Sequence, residues 1–300
     1  MNKNQIIGMA LTIMGGTLWG LSGTAVQFLE TERHINVEWL ISIRLIAAGL
    51  FTVIYAFMKA RGEIFRVFTN TQDTVKLFIF GVFGMAMCQY SYFRSIIEGG
   101  VGVATVLQYI APTMIIVYTF LRYRKSPTKG EVVSVILALV GTMCIVFHEG
   151  VHLEGINSGV ISWGLLSAVG VAIYSVQPVQ ILRKYGTGPI VGLAMLISGI
   201  LAKLYWFDQE SNLVWDAWTW AGLFAVIILG TVVSFNAYLE GIRRIGSVQG
   251  SILSSIEPIS AALLGWWLLG NTFTAFDAVG FIMILSTVFI LGYEKSTIKS

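Results

Sequence analysis

Residues 246–270 read GSVQGSILSSIEPISAALLGWWLLG. A helix crossing about 30 Å of hydrocarbon needs roughly 20 mostly apolar residues. Residues 247–269 meet that requirement with one ionisable side chain, Glu257. Glu257 lies about ten residues into the span, roughly 14 Å deep at 1.5 Å per residue. A charge at that depth costs about 2.5–3.5 kcal/mol on insertion scales, so it should face a cavity or a partner. Pro258 follows; it lacks an N–H and frees backbone carbonyls that a solute or water can use.

Similar segments recur at about 6–28, 39–58, 75–93, 101–121, 130–147, 157–182, 189–206, 217–239 and 273–293. The sequence therefore predicts an all-α membrane protein of ten spans. Composition agrees, with 56% of the 300 residues hydrophobic and only 12% charged, about half the usual charged fraction. A chain so poor in charge cannot cover a soluble surface, which excludes soluble enzymes, disordered regulators and disulfide-stapled secreted domains. The net charge of +3 is too small to imply nucleic-acid binding. Cys88 and Cys144 lie in apolar runs and read as small hydrophobes without a disulfide. The first segment is longer than a signal-peptide core and no small-residue cleavage site follows it, so it is expected to be a retained span.

Basic residues orient the spans. With the N-terminus inside, 15 of the 19 fall in cytoplasmic segments: Lys3; Lys59, Arg61, Arg66, Lys76; Arg122, Arg124, Lys125, Lys129; Arg183, Lys184; Arg243, Arg244; Lys295, Lys299. Arg33, Arg94 and Lys203 fall outside, and Arg44 lies within the second span. The bias predicts N-in, C-in topology.

The chain also matches itself. Gly15, Trp19, Gly20 and Leu21 fall on Gly159, Trp163, Gly164 and Leu165, an offset of 144. Gly84, Tyr92, Ile96, Gly100, Leu107, Ile110 and Pro112 fall on Gly230, Tyr238, Ile242, Gly246, Leu253, Ile256 and Pro258, an offset of 146. Two repeats, 1–150 and 151–300, would each hold five spans, and an odd number turns the second half upside down. Inverted repeats characterise secondary transporters, with the solute site near the midplane where the halves meet.

Leu18-Trp19-Gly20, Arg44, Gly246-Ser247-Val248, Glu257-Pro258-Ile259 and Gly265-Trp266-Trp267-Leu268-Leu269-Gly270, followed by Gly280, resemble the ten-helix EamA-type drug/metabolite transporters. The resemblance spans nearly the whole chain. It implies a cytoplasmic-membrane carrier, often an exporter of amino acids or related metabolites; uptake or exchange is the alternative within the same superfamily. The chain departs from the family where a glutamate often follows the proline-containing helix of each half: here Lys125 and Asn271 stand.

Glu257 is the first candidate to line the cavity, binding a cationic group or a proton. Arg44, about five residues into its span, either snorkels to the interface or holds a substrate carboxylate. Polar aromatics and amides on apolar helices complete the candidate solute-binding set: Trp19, Gln89, Tyr90, Gln108, Tyr109, Trp163, Tyr174, Gln177 and Asn236. Unpaired amides are costly on such helices, so they line a polar cavity or bind helices together. Tyr92 and Tyr238, with Pro112 and Pro258, are candidate gates; Tyr and Trp also settle at membrane interfaces without gating. Gly16–Gly20 and Gly246–Gly250 have the spacing of close helix packing.

His148-Glu149-Gly150-Val151-His152 matches the zinc-protease pattern. It straddles a span end and a glycine-containing loop, so an intramembrane metalloprotease is the weaker reading, and no metal or other cofactor is expected. No nucleotide-binding loop is present, so energy should come from gradients. A channel is a further alternative. Expected partners are a small metabolite and membrane lipids; one chain holding both repeats can form the pathway, so a monomer is expected and a dimer left open.

Overall fold

A computed structural model describes residues 3–147, 157–205 and 214–297. The described residues form α1 (Lys3–Arg33), α2 (Val37–Ala60), a 3-10 turn (Arg61–Thr69), α3 (Thr71–Ile79), a π-helical turn (Phe80–Ala86), α4 (Met87–Gln108), α5 (Ala111–Tyr123) and α6 (Lys129–Val146). The second half continues with α7 (Ser158–Val176), α8 (Val179–Tyr185), α9 (Thr187–Tyr205), α10 (Ala217–Phe224), a second π-helical segment (Ala225–Val233), α11 (Ser234–Ile245), α12 (Ser247–Leu253), α13 (Ile256–Leu269) and α14 (Ala275–Thr297). No strand occurs among the described residues, and nine helical stretches there are long and apolar enough to cross a membrane. The protein is an all-helical, multi-pass membrane protein.

One of the nine, Thr71–Gln108, is a hairpin. Gly100 adopts φ 80° and ψ 161°, and the Tyr92 and Thr105 hydroxyls meet at 2.8 Å across it. Thirteen residues of straight helix would separate them by about 20 Å. Gly246, at the 146-residue offset, turns the chain between α11 and α12 with φ 94° and ψ 159°. A side chain is strained in that conformation, so glycine is required at both turns. Gly246 is thus a chain-reversal residue, not the close-packing position its spacing predicts.

Other features recur at 146. The two π-helical segments correspond. In the first the Gly81 carbonyl accepts the Ser198 hydroxyl, 2.7 Å; in the second the Val226 carbonyl accepts Thr231, 2.8 Å. Inserted hydroxyls of this kind loosen the helical ladder. Arg124 and Gly270, both left-handed, end α5 and α13.

The first helices obey a different register. α1 and α8 end at Arg33 and Tyr185, and His34 and Gly186 follow with positive φ, an offset of 152. Packing agrees: Gly8 lies against Ile245 as Gly99 lies against Val160. The Trp19-Gly20-Leu21 match to Trp163-Gly164-Leu165 is therefore not an equivalence in space. It is eight residues out of register, about two turns; the position matching Trp19 is Val171.

Equivalent helices meet in antiparallel pairs. In α2 and α9, Gly192 lies against Thr52 and Val53, and Gly199 against Leu45 and Ile46. In α6 and α14, Gly141 lies against Met283 and Ile284, and Gly280 against Cys144 and Ile145. The first helix of each half crosses over. α1 packs on α10, α11 and α13, whereas α7 packs on residues 80–123. Sequence halves 1–150 and 151–300 are thus interleaved in space. The buried face of α1 is mostly small (Gly8, Thr12, Gly15, Gly16, Gly20, Ser22, Thr24), which lets backbones approach closely where apolar burial gives no drive within lipid.

Charges sort by end. One end holds Asp73 with Lys184, Lys76 and Tyr185, and Glu240 with Arg243, Arg244 and Thr187. The other holds Arg33 with Asp216 and Arg94 with Glu98.

Candidate functional site

Two broken helices create the site. Pro112 and Pro258 cannot donate to the carbonyls four residues back, and the chain tightens just before each. Ile110 N–H donates to Leu107 at 3.2 Å, and Ser255 N–H to Ile252 at 3.1 Å. Tyr109 lies in the first break; Glu257 opens the helix after the second, where the positive end of the helix dipole favours an acid. The Tyr109 hydroxyl donates to Glu257 Oε2 at 3.0 Å. This bond joins the two breaks and, with them, the two halves. Its arrangement is asymmetric: Glu257 corresponds to Ala111, and Tyr109 to Ser255.

Arg44, on α2, turns inward. Its Nη2 donates to Gln89 Oε1 at 2.8 Å, and its Nε is buried without a partner. Its head group thus meets α4. Gln89 neighbours Cys88, and Cys88 faces Gln108, the neighbour of Tyr109, so a run of polar side chains leads from Arg44 to Glu257. Gln108 donates to Ser167 at 2.6 Å and faces Cys88 Sγ at 3.7 Å. Arg44, Gln89, Tyr92, Gln108, Tyr109 and Glu257 are all half-buried, not sealed.

An aromatic wall joins α1, α7 and α11. Trp19 packs on Phe235 and Tyr238 at 5.0 and 4.8 Å between ring centres, and its Nε1 is buried without a partner. Tyr174 meets both the same rings edge-on. Tyr238 is 1% exposed; its hydroxyl bonds Ser175 at 2.9 Å, whose carbonyl accepts Ser247 at 2.6 Å. Ser247 also lines a cavity of about 340 Å³ at the end bearing the lysine and arginine clusters, with Tyr123, Lys125, Glu131 and Gln249. Ser247 thus ties that cavity to Ser175 and Tyr238. Tyr92 closes on Thr105 within its own hairpin.

Four candidates lie elsewhere. Tyr90 bonds Tyr205 at 3.1 Å and packs edge-on to Trp163, under the Arg94 guanidinium, in a peripheral aromatic cluster. Gln177 donates to the Lys76 carbonyl at 2.8 Å and ties two helices together. Asn236 donates to Val232 on its own helix, 2.7 Å. The hydrogen bonds these side chains make lie away from Glu257, while Gln177 Oε1 is buried without a partner among the described residues. Pro112 and Pro258 are buried at the breaks. Cys88, Ser167, Ser175, Ser247 and Phe235 were not sequence candidates; small hydroxyls on apolar helices carry no periodic signal. No cluster of three metal-ligating side chains occurs among the described residues. The motif at 148–152 lies outside them.

The pattern described as the EamA-like transporter family matches residues 6–147 and again 158–293. The chain belongs to the EamA-like transporter family. Among its relatives, the "Uncharacterized inner membrane transporter YicL" of Salmonella typhimurium is 32% identical over 288 residues, 96% of each chain. An "Uncharacterized transporter" of Archaeoglobus fulgidus is 25% identical over 291 residues, covering 95% of this chain and 97% of the relative. A solved structure described as "Crystal structure of protein" superposes with TM-score 0.78 over 98% of this EamA chain and 99% of its own, at 16% identity. That likeness concerns the fold. Family and relatives make the protein a membrane transporter, located, as its bacterial relatives indicate, in the cell membrane.

Proposed function

We propose that the protein is a secondary transporter that exports a small organic metabolite, an amino acid or a closely related compound, by alternating access. Ten crossings, with both termini cytoplasmic, accommodate the positive-inside bias and the hairpin at Gly100. The observation that carries the reading is the Tyr109–Glu257 bond between the two helix breaks. Discontinuous helices meeting near the midplane at a repeat interface are where carriers bind their solutes. The proposed chamber between the halves offers one positive and one negative side chain, Arg44 and Glu257, beside an aromatic wall, a complement to a small zwitterion.

Glu257 receives the ammonium group or exchanges a proton, and Tyr109 keeps its carboxyl directed into the chamber. The Ser247–Ser175–Tyr238 chain is the thin gate toward the lysine- and arginine-bearing cavity. Opening it while the hairpin bearing Tyr92 stays closed gives one face access. The interleaved halves give the opposite state by the same motion with roles exchanged.

The test is reconstitution. Purified protein in proteoliposomes is loaded with each of the twenty amino acids, and counterflow is followed with and without a pH gradient. Saturable, trans-accelerated exchange supports the carrier. Unsaturable flux without trans-acceleration indicates a pore, and failure of every amino acid and related metabolite to move overturns the reading.

A further inference from the structure

We propose that Arg44 is the subsite for the solute's carboxylate and that Gln89 is the residue that aims it. The proposal rests on the carrier reading above and specifies one end of the solute within it.

Arg44 sits inside α2 between core residues Ile41 and Leu45, which are 1% and 0% exposed. A guanidinium carries five N–H donors. One of them meets Gln89 Oε1 at 2.8 Å, and the Nε–H is buried with nothing among the described residues to accept it. No carboxylate among the described residues lies within 4.0 Å of Arg44, whereas Arg33, Arg94, Arg243 and Arg244 each have an acidic partner. Buried charges are ordinarily paired, and removing a counter-charge leaves a costly uncompensated ion. The missing partner here is an anion. The planar fork of arginine matches the two oxygens of a carboxylate, and Gln89 fixes the rotation of that fork through a neutral contact that leaves the charge unspent.

The other pole supports the same ligand. Glu257 is the acid at the far end of the polar run from Arg44, through Gln89 beside Cys88 and Gln108 beside Tyr109. A solute carrying carboxylate and ammonium neutralises both in one binding event. An amine alone would leave Arg44 unpaired, and a simple anion would leave Glu257 so.

The experiment compares each of the twenty amino acids with its carboxamide, which keeps the ammonium and side chain but loses the anion. The full-length protein in proteoliposomes is used, with size-exclusion profile and thermal unfolding in detergent as folding controls. The wild-type chain should move the acid and discriminate against its amide by about ten- to a hundred-fold in KM, the worth of hydrogen bonds to a charged group. Arg44→Gln should remove that discrimination. Gln89→Glu separates ligand binding from structure, because it gives Arg44 an internal carboxylate. A structural role predicts that Gln89→Glu is at least as stable and transports normally. The subsite predicts that it is equally stable and loses transport of the acid, its amide being less affected. Equal transport of acid and amide by the wild-type chain, or wild-type KM for the acid in Gln89→Glu, overturns the subsite and leaves the carrier standing. Failure of the wild-type chain to move any amino acid overturns the amino-acid reading and the subsite with it.

Discussion

Gly20 is where the packing of α1 and the chemistry of Glu257 meet. A Cβ added there would collide with Ser260 Oγ and stand 2.6 Å from the Glu257 carbonyl oxygen and 2.7 Å from the Ala261 nitrogen. Ordinary contact begins at 3.4 Å, so the first turn of α13 must retreat by about 0.8 Å, enough to stretch the Tyr109–Glu257 bond toward about 3.8 Å, beyond hydrogen-bonding distance. Overpacking of this kind costs about 1–3 kcal/mol. Gly23 lies on the same helix three residues on, with nothing within 4 Å of an added Cβ, and alanine there should gain about 0.5–1 kcal/mol by relieving backbone entropy. Gly20→Ala gains the same backbone term, so the two variants should differ by the overpacking alone, about 1–3 kcal/mol, in unfolding by SDS in mixed micelles. Gly20→Ala should also raise KM in counterflow, while Gly23→Ala should leave it unchanged. Equal stability shifts would refute the close approach of α1 to α13. A destabilised Gly20→Ala with wild-type KM would refute the link to Glu257.

Other outcomes follow from the same geometry. Tyr109→Phe and Glu257→Gln should each impair transport with folded yield intact, and their double-mutant cycle should give a coupling of about 1.5–3 kcal/mol; additivity within about 0.5 kcal/mol would show the bond contributes nothing. Gly100→Ala and Gly246→Ala meet no atoms, so each should cost about 1–3 kcal/mol from backbone strain alone, and markedly unequal losses in SDS unfolding would contradict their equivalence. Asp216, outside the spans, is held below the usual aspartate range by the Thr219 backbone and hydroxyl and by Arg33. A depressed carboxyl stabilises above its unfolded pKa and ceases to as pH falls through its folded value. Asp216→Asn should therefore be less stable than wild type at neutral pH and indistinguishable from it in acid; a pH-independent difference would refute the assignment.

Span positions were legible in the sequence because hydropathy is additive along a helix. The correspondence of positions 100 and 246 was legible because glycine stands at both; that each turns the chain was not. The offset of 144 misled: Trp-Gly-Leu is three common residues of apolar helices, and only helix ends and contacts reveal that the spatial register is 152. Gly246 illustrates the same limit, since small-residue spacing looks alike whether glycine admits a neighbour or turns the chain. At the site, Glu257, Arg44 and Gln108 were readable because charge and amide are costly at depth. Tyr90, Trp163, Gln177 and Asn236 were not separable from them, because which side of a helix faces the chamber is a tertiary property. Cys88 and the serines gave no signal at all.

The crossing of the first helices also has a consequence in time. Contacts of α1 span 237 residues from Thr24 to Ala261 and 240 from Asn4 to Arg244. At about 5–20 residues per second of synthesis, α1 waits roughly 12–48 s for the residues it packs on. Its glycine-rich face meets only lipid, or a transient companion, until then. α7 emerges to find residues 80–123 already made. The same interface, formed twice in one molecule, is thus assembled once at leisure and once on arrival, and a substitution on the face of α1 acts on the nascent chain for longer than its counterpart on α7.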